Sequence, residues 1–159
     1  MRMLHLAAKY TRNKDHLKHI YKTFVRSTLE FSSTVWHHSL TLADRQDLER
    51  IQKAALKVIL RGEYENYEQA LDVLGLDSLN QRRESMALKF AKNSLNNPQF
   101  SKLFPLRRVK HEMVARNREK YKVSSSNTLR YKESAAPSLQ RLLNKENQEN
   151  EFKKNVKWN

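Results

Sequence analysis

The stretch LERIQKAALKVILRG, residues 48–62, carries the clearest helical pattern in this chain of 159 residues. Its apolar residues recur at steps of three and four positions and therefore share one helix face: Leu48, Ile51, Ala55, Val58 and Ile59. Cations recur at similar steps on the other face: Arg50, Lys53, Lys57 and Arg61. We predict a helix with one buried face and one positive face, around which the other elements pack.

Several residues in this part of the chain are typical of helix ends. Thr41 precedes the stretch with Asp44 three positions later, and such a pair satisfies free backbone N–H groups at a helix start in a capping box. Gly62 closes the stretch, because glycine enters the left-handed conformation of a helix end at little cost. Asn66 and Gly75 predict the two ends of a second, shorter helix in the same way.

Composition and periodicity place the chain in the mostly α class. Apolar residues make up 38% of the chain, which gives a thin core, and two glycines leave little room for tight hairpins. Apolar stripes predict further helices, the first with Phe24 and Val35 on its buried face: 15–36, 67–74 and 79–97. Their short connections favour a small antiparallel helical bundle.

We divide the chain into three parts by these patterns. Residues 1–104 form the predicted helical bundle, and residues 105–144 form a basic, partly irregular extension with a short terminal helix. Within it, residues 107–120 fit a very basic helix, and residues 128–131 fit a short extended segment. The polar residues 145–159 predict a disordered tail.

The first fourteen residues have a composition of their own. They contain no acid and carry four cations, Arg2, Lys9, Arg12 and Lys14. A mitochondrial transit peptide has such a composition. We favour a short first helix that packs on the next one, because the apolar pattern continues into the later helices.

The net charge of +14 is concentrated in two blocks. Residues 1–62 hold 12 Lys and Arg against 5 Asp and Glu, and residues 107–132 hold 9 against 2. Residues 63–106 and 133–159 are close to neutral. A basic excess in two blocks predicts a polyanionic partner, nucleic acid before an anionic membrane, although a merely solubilising surface has similar statistics.

The candidate phosphate-binding side chains follow from these blocks. The C-terminal block supplies Arg107, Arg108, Lys110, Arg116, Arg118, Lys120, Lys122, Arg130 and Lys132. The predicted helices supply Arg50, Lys53, Lys57, Arg82 and Arg83. Tyr121 and Tyr131 lie between cations, a pattern typical of surfaces that hold phosphates and stack bases. A solvated helix face explains the second set equally well, because Glu49 can pair with Lys53 one turn away.

The sequence contains no recognisable catalytic site or cofactor-binding site. His16 and His19 are three apart and His37 adjoins His38, but no third ligand stands at a useful spacing for zinc. Motifs of hydrolases, metalloproteases and P-loop proteins are absent, and the acids stand at capping or exposed positions. We therefore expect neither a metal nor another cofactor.

No apolar run approaches the roughly 18 residues of a membrane span, so we expect no membrane partner. The absence of cysteine fits a reducing compartment, and we expect an intracellular location, nucleus or cytoplasm.

Four stretches of the chain resemble, in the same order, one protein family: LKHIYKTFVRSTLEFSSTVW (17–36), LERIQKAALKVIL (48–60), YEQALDVLGLDSLNQRRE (67–84) and SLQRLLN (138–144). They are similar to the C-terminal part of non-LTR retrotransposon reverse transcriptases of the jockey-like kind. The resemblance covers roughly residues 2–144. Its most specific words are LERIQKAAL and the Arg82-Arg83-Glu84 triplet, and the basic segment is its least specific part.

The resemblance implies helices that follow the polymerase palm, namely the thumb and its extension, which grip the template and primer. The paired aspartates that hold Mg²⁺ in the palm of that family have no counterpart, because Asp-Asp occurs nowhere in the chain. The resemblance thus implies a truncated element that does not polymerise, and no catalytic residue is carried over.

Three functions follow as hypotheses, and the absent aspartate pair argues against the third, an active nuclease or polymerase. The first is a non-catalytic remnant of an RNA-directed DNA polymerase that binds RNA or DNA without sequence preference. The second is a helical protein–protein interaction module, in which the charge only keeps the chain soluble. The salt dependence of duplex binding separates the first two.

Overall fold

The computed structural model describes residues 1–107 and 119–156, with side chains as far as residue 153. The chain is mostly helical, which confirms the predicted fold class. In the described part of the chain, extended pairing is limited to a single antiparallel bridge between Leu106 and Tyr121. Along the same residues, no helix combines the length and the apolar character that crossing a membrane requires.

The chain forms two compact units. Unit 1 comprises Met1–Ser33 and Leu40–Glu84, and unit 2 comprises Thr34–Ser39 and Ser85–Asn159. The division between Glu84 and Ser85 falls inside the helix Leu79–Leu95, whereas the predicted boundary lies at residue 104. We describe each unit by itself.

Unit 1 is built from helices, of which α2, α5 and α6 begin at side-chain caps. They are α1 (Arg2–Tyr10), α2 (Lys14–Ile20), a π-helical segment (Tyr21–Arg26), α3 (Ser27–Glu30), α5 (Leu42–Leu60), α6 (Tyr67–Leu74) and the first residues of α7 (Leu79–Leu95). The short helix α4 (Ser33–Trp36) and the 3₁₀ turn His37–Ser39 follow α3 in the sequence, but residues Thr34–Ser39 belong to unit 2. Thr41 and Asp44 form the predicted capping box of α5, and Asn66 and Gly75 cap α6 as predicted.

The core of unit 1 brings α1, α2, α5 and α6 together. Its side chains are Leu4, Leu17, Tyr21, Val25, Ala55, Leu56, Ile59, Leu60, Ala70, Leu74 and Leu76. One polar pair lies inside it: the Tyr21 hydroxyl donates to Gln52 Oε1 at 2.8 Å, and Gln52 Nε2 donates to the Asp77 carbonyl at 2.9 Å. These bonds satisfy the buried polar atoms and connect α5 to the start of α7.

The predicted single helix over 15–36 is interrupted. The Thr28 hydroxyl donates to the Phe24 carbonyl four residues earlier at 2.8 Å, and Ser27 bonds the Thr23 carbonyl in the same way. Such bonds compete with the regular helix pattern and bend it. The helix ends at Phe31, where Ser32 takes a positive φ of 52°. Two residues predicted to be buried, Phe24 and Val35, are 50% and 64% exposed.

The end of α5 also differs from the prediction. Gly62 was expected to take the left-handed conformation, but Arg61 has the positive φ of 54° instead. The Arg61 guanidinium donates to the carbonyls of Ala8 and Thr11, the second at 3.2 Å. This contact between α1 and α5 fixes the helix end at Arg61, and no local sequence pattern reveals it.

Unit 2 contains the rest of α7, a 3₁₀ turn (Ser101–Leu103), α8 (Leu129–Lys132) and α9 (Ala135–Val156). Its core side chains are Ala87, Ala91, Phe104, Tyr121, Leu139 and Leu143. Residues 128–131, predicted to be extended, begin α8 instead, with Thr128 as its N-cap. The predicted tail from residue 145 also differs, because α9 continues to Val156, with Lys92 paired to Glu146 on its side.

Candidate nucleic-acid interface

The basic segment, residues 107–120, begins and ends at the same place in unit 2. The Arg107 amide donates to the Lys120 carbonyl at 3.0 Å, and the Lys122 amide donates to the Pro105 carbonyl at 2.8 Å. An ion pair between the Arg107 guanidinium and Glu119, 3.3 Å apart, joins the two ends again. These contacts between residues 105–107 and 119–122 form a closed base for the basic segment.

Two amide side chains of α9 hold that base. Asn144 Oδ1 accepts the Tyr121 amide, and its Nδ2 donates to the Tyr121 carbonyl, both at 2.9 Å. Gln140 Oε1 accepts the Ser124 amide at 2.8 Å, and its Nε2 donates to the Leu103 carbonyl. Asn144 and Gln140 thus satisfy backbone groups that a neighbouring strand would otherwise pair.

Sequence reasoning missed these two residues. Both were placed in the predicted extension without a role, yet Asn144 is 4% exposed and Gln140 is 1% exposed. Both follow a buried leucine directly, at Leu139 and Leu143, and they are one helical turn apart. Polar amides beside an apolar stripe at this spacing are the signal that could have found them.

The described cations of the C-terminal block are all exposed: Arg107, Lys120, Lys122, Arg130 and Lys132. Arg107, Glu119 and Lys122 also line a cavity of about 680 Å³ beside the base of the basic segment. The other predicted members of this set lie outside the described residues: Arg108, Lys110, Arg116 and Arg118. Five of the nine side chains are therefore accessible to a phosphate in the described structure.

The two tyrosines of this block differ in accessibility. Tyr121 is 6% exposed and packs edge-on against Phe104, with ring centroids 6.4 Å apart. Tyr131 is 47% exposed. Because Tyr121 belongs to the core, it offers no free ring face to a base, and only Tyr131 of this pair fits the predicted stacking role.

Unit 1 contains the second predicted set of cations, of which the α5 members are exposed. The ammonium of Lys53 lies 4.9 Å from the centre of the Tyr67 ring, and that of Lys57 lies 5.3 Å from the Tyr64 ring. Arg50 pairs with Asp47 at the helix surface. These lysines remain open to an anion, but they cover the tyrosine faces that a base would need.

The predicted pair between Glu49 and Lys53 gives way to other bonds. Glu49 accepts hydrogen bonds from the Tyr67 hydroxyl and from the Asn80 amide, the latter at 2.8 Å. It therefore caps the N-terminus of α7 and holds α6 beside it. Burial, together with the bond to Glu49, raises the pKa of Tyr67 far above its ordinary value, so the hydroxyl keeps its proton as a donor.

Arg82 and Arg83 serve the interior of unit 1. Arg82 pairs with Glu30 at 2.8 Å, and Arg83 is completely buried. Burial lowers the pKa of Arg83, while the nearby carboxylates Glu49 and Glu30 act in the opposite direction. A phosphate cannot reach Arg83 in this fold, so we correct the predicted set and leave Arg83 out of the interface.

The structure thus sorts the candidates by place. The exposed cations of the C-terminal block belong to unit 2, the α5 cations belong to unit 1, and the Arg82-Arg83 pair is occupied by internal contacts. Among the described residues, no group of three His, Asp or Glu side chains is placed to hold a metal ion. Comparison of the chain with protein-family models, with curated proteins and with solved structures found no match.

Proposed function

We propose that this chain is a non-catalytic protein that binds RNA or DNA without sequence preference, as a thumb-like remnant of a retroelement polymerase would. The observation that supports this most is the closed base of the basic segment, held by Asn144 and surrounded by exposed cations. Residues 107–120 contain six cations and two glutamates. This excess of positive charge attracts a polyanion, and few acids oppose it.

The contacts that this interface offers are directed at phosphates. Lysine and arginine side chains bind backbone oxygens, which fix the position of a nucleic acid but carry no sequence information. Base stacking contributes less than the sequence suggested, because Tyr121 is buried. Arg107 and Lys120 are already held by backbone hydrogen bonds, so placing these two cations on a nucleic acid needs little further ordering of their backbone.

Salt dependence provides the test. We expect the full chain to bind a labelled duplex in a fluorescence-anisotropy titration, with an affinity that is independent of sequence. Four to six phosphate contacts predict a slope of roughly −4 to −5 in a plot of log affinity against log salt, about −0.9 per contact. The triple variant Arg107→Ala, Lys120→Ala, Lys122→Ala should flatten that slope by about 2–3.

A charge-matched variant controls for net charge. Lys89, Lys145 and Lys153 are also exposed in unit 2, and their replacement with alanine removes the same three charges. This control should leave the slope close to that of the wild type. Equal effects of the two triple variants, or no duplex binding at low salt, would contradict the proposal, and the latter result would leave the protein-interaction hypothesis.

A further inference from the structure

The outward face of α1 carries an apolar stripe that nothing in the described structure covers. Met3, Leu6 and Tyr10 are 54%, 53% and 85% exposed. Their spacing of three and then four residues places them in one line along the helix. Single exposed apolar side chains are common, but a contiguous line of them marks an interaction site more often.

This helix is firmly attached to unit 1. Leu4 is completely buried in the core, and Ala7 and Ala8 pack against that core. Arg61 holds the last turn of α1 through its bond to the Ala8 carbonyl. The stripe is therefore a preformed surface on a fixed helix.

A groove between α1 and the end of α5 adjoins the stripe at Tyr10, while Met3 and Leu6 lie outside its lining. Its volume is about 860 Å³, and its lining residues are His5, Ala8, Lys9, Tyr10, Arg12, Val58 and Arg61. Every charged side chain described along it is a cation. Glu63, close by in the sequence, is engaged by Lys14. The surface thus combines an apolar line, a concave groove and a positive rim.

We propose that this surface docks an acidic amphipathic helix of a partner protein. An amphipathic partner helix presents apolar side chains at steps of three and four, and such a face can pack along the matching line of Met3, Leu6 and Tyr10 on α1. Acidic side chains beside that face would meet Lys9 and Arg12. A nucleic acid would bind the cations but would leave Met3 and Leu6 without a role. A lipid surface is disfavoured because three apolar side chains offer little area for insertion.

The proposal is independent of the basic segment, which belongs to unit 2, whereas the stripe and the groove belong to unit 1. The probe is a labelled synthetic helix of about 15 residues with leucines at helical spacing and glutamates elsewhere, a length of about four turns. In an anisotropy titration, the full wild-type chain should bind this peptide. Leu6→Ser should weaken binding about tenfold or more, as truncation of a central anchor does.

Three further variants make the result specific. Lys9→Ala with Arg12→Ala should weaken binding and reduce its salt dependence. Val73→Ser removes an apolar side chain of similar exposure, 59%, from another helix of unit 1 and should leave binding unchanged. The triple variant of the basic segment should bind the peptide like the wild type. Thermal melts should confirm that Leu6→Ser is folded, because this side chain lies outside the core.

Several results would overturn the proposal. The first is no peptide binding up to about 100 µM, a concentration at which specific helix docking is detectable, and the second is an equal loss of binding in Leu6→Ser and Val73→Ser. The third is that phosphatidylserine vesicles, in place of the peptide, capture the chain in a way that depends on Leu6. The fourth is loss of duplex binding in Leu6→Ser. The last two would assign the stripe to a membrane surface and to nucleic acid, respectively.

Discussion

Two neighbouring arginines have different roles because of their surroundings. Arg82 reaches Glu30 at the edge of unit 1, with 35% of its side chain exposed, while Arg83 is completely buried near Glu49 and Glu30. A buried guanidinium is tolerated where carboxylates compensate its charge. In the sequence the two arginines look equivalent, because each is a single positive charge beside an apolar helix stripe. Both arginines lie near Glu30, and the burial of Arg83 separates the guanidinium that a phosphate cannot reach from the partly exposed one of Arg82.

The capping box of α5 makes stability depend on pH. Hydrogen bonds from the Thr41 side chain and backbone lower the pKa of Asp44 below its ordinary value. A depressed pKa means that the carboxylate stabilises the fold at neutral pH and that this contribution is lost as the pH falls through the folded-state pKa. Asp44→Asn should therefore lower the melting temperature at pH 7.

The difference between this variant and the wild type should begin to shrink as the pH falls below the ordinary aspartate pKa of about 3.9, and it should be smallest below the folded-state pKa, where both side chains are neutral. Thermal melts followed by circular dichroism across this pH range measure the difference. A difference that stays constant down to about pH 2, below both pKa values, would show that the charge of Asp44 does not contribute.

Local sequence patterns predicted most helix ends and failed where a distant contact decides. The pair Thr41 and Asp44 and the caps Asn66 and Gly75 were predicted, since each acts on backbone groups within a few residues. The predicted left-handed conformation of Gly62 was wrong, because Arg61 takes the positive φ in its place. A non-glycine residue there costs about 1–2 kcal/mol. The guanidinium contacts with α1 offset this cost, and those contacts come from residues about fifty positions away.

Among the elements, α9 determines how the basic segment is presented. Its leucines enter the core of unit 2, and its amides Gln140 and Asn144 take the place of a neighbouring strand for residues 121–124. A helix that satisfies extended backbone in this way needs its amides buried beside its apolar stripe. We did not predict this coupling, because the two amides were not weighed together with the leucines that precede them.

Removal of Asn144 should open this base. Asn144→Ala leaves the buried Tyr121 N–H and C=O without their partner, and we expect a loss of about 1–3 kcal/mol in the free energy of unfolding. Hydrogen exchange of the peptide that contains residues 119–124 should accelerate in this variant. Asn150→Ala is the control, because Asn150 lies on the same helix and is exposed. Unchanged exchange in Asn144→Ala would mean that the other contacts, namely Gln140, the backbone bonds and the Tyr121 side chain, hold the base without Asn144.

At the scale of the whole molecule, each unit carries its own basic surface. Unit 2 holds the basic segment, and unit 1 holds the positive face of α5 and the apolar stripe of α1. The predicted bundle boundary at residue 104 did not anticipate this, because it followed composition. Helix α7 has one continuous pattern in the sequence, yet its residues belong to both units. Periodicity identifies a helix but does not tell which core each turn joins.

Each unit has its own core, and the two cores have no residue in common. Chains with separate cores often depart from a single cooperative unfolding transition. Leu143→Ala empties a site in unit 2, and Leu56→Ala empties one in unit 1, each at a cost of roughly 2–5 kcal/mol. We expect each substitution to lower mainly the transition of its own unit.

Trp36 belongs to unit 2 and provides a local probe once Trp158→Phe has removed the other tryptophan. In that background, Leu143→Ala should lower the midpoint of the Trp36 fluorescence transition by at least about 8 °C. Leu56→Ala should change that midpoint by less than about 2 °C while it lowers part of the helical circular-dichroism transition. Equal shifts of the Trp36 transition in both variants would show that the two cores unfold together, and the basic segment would then depend on the stability of unit 1.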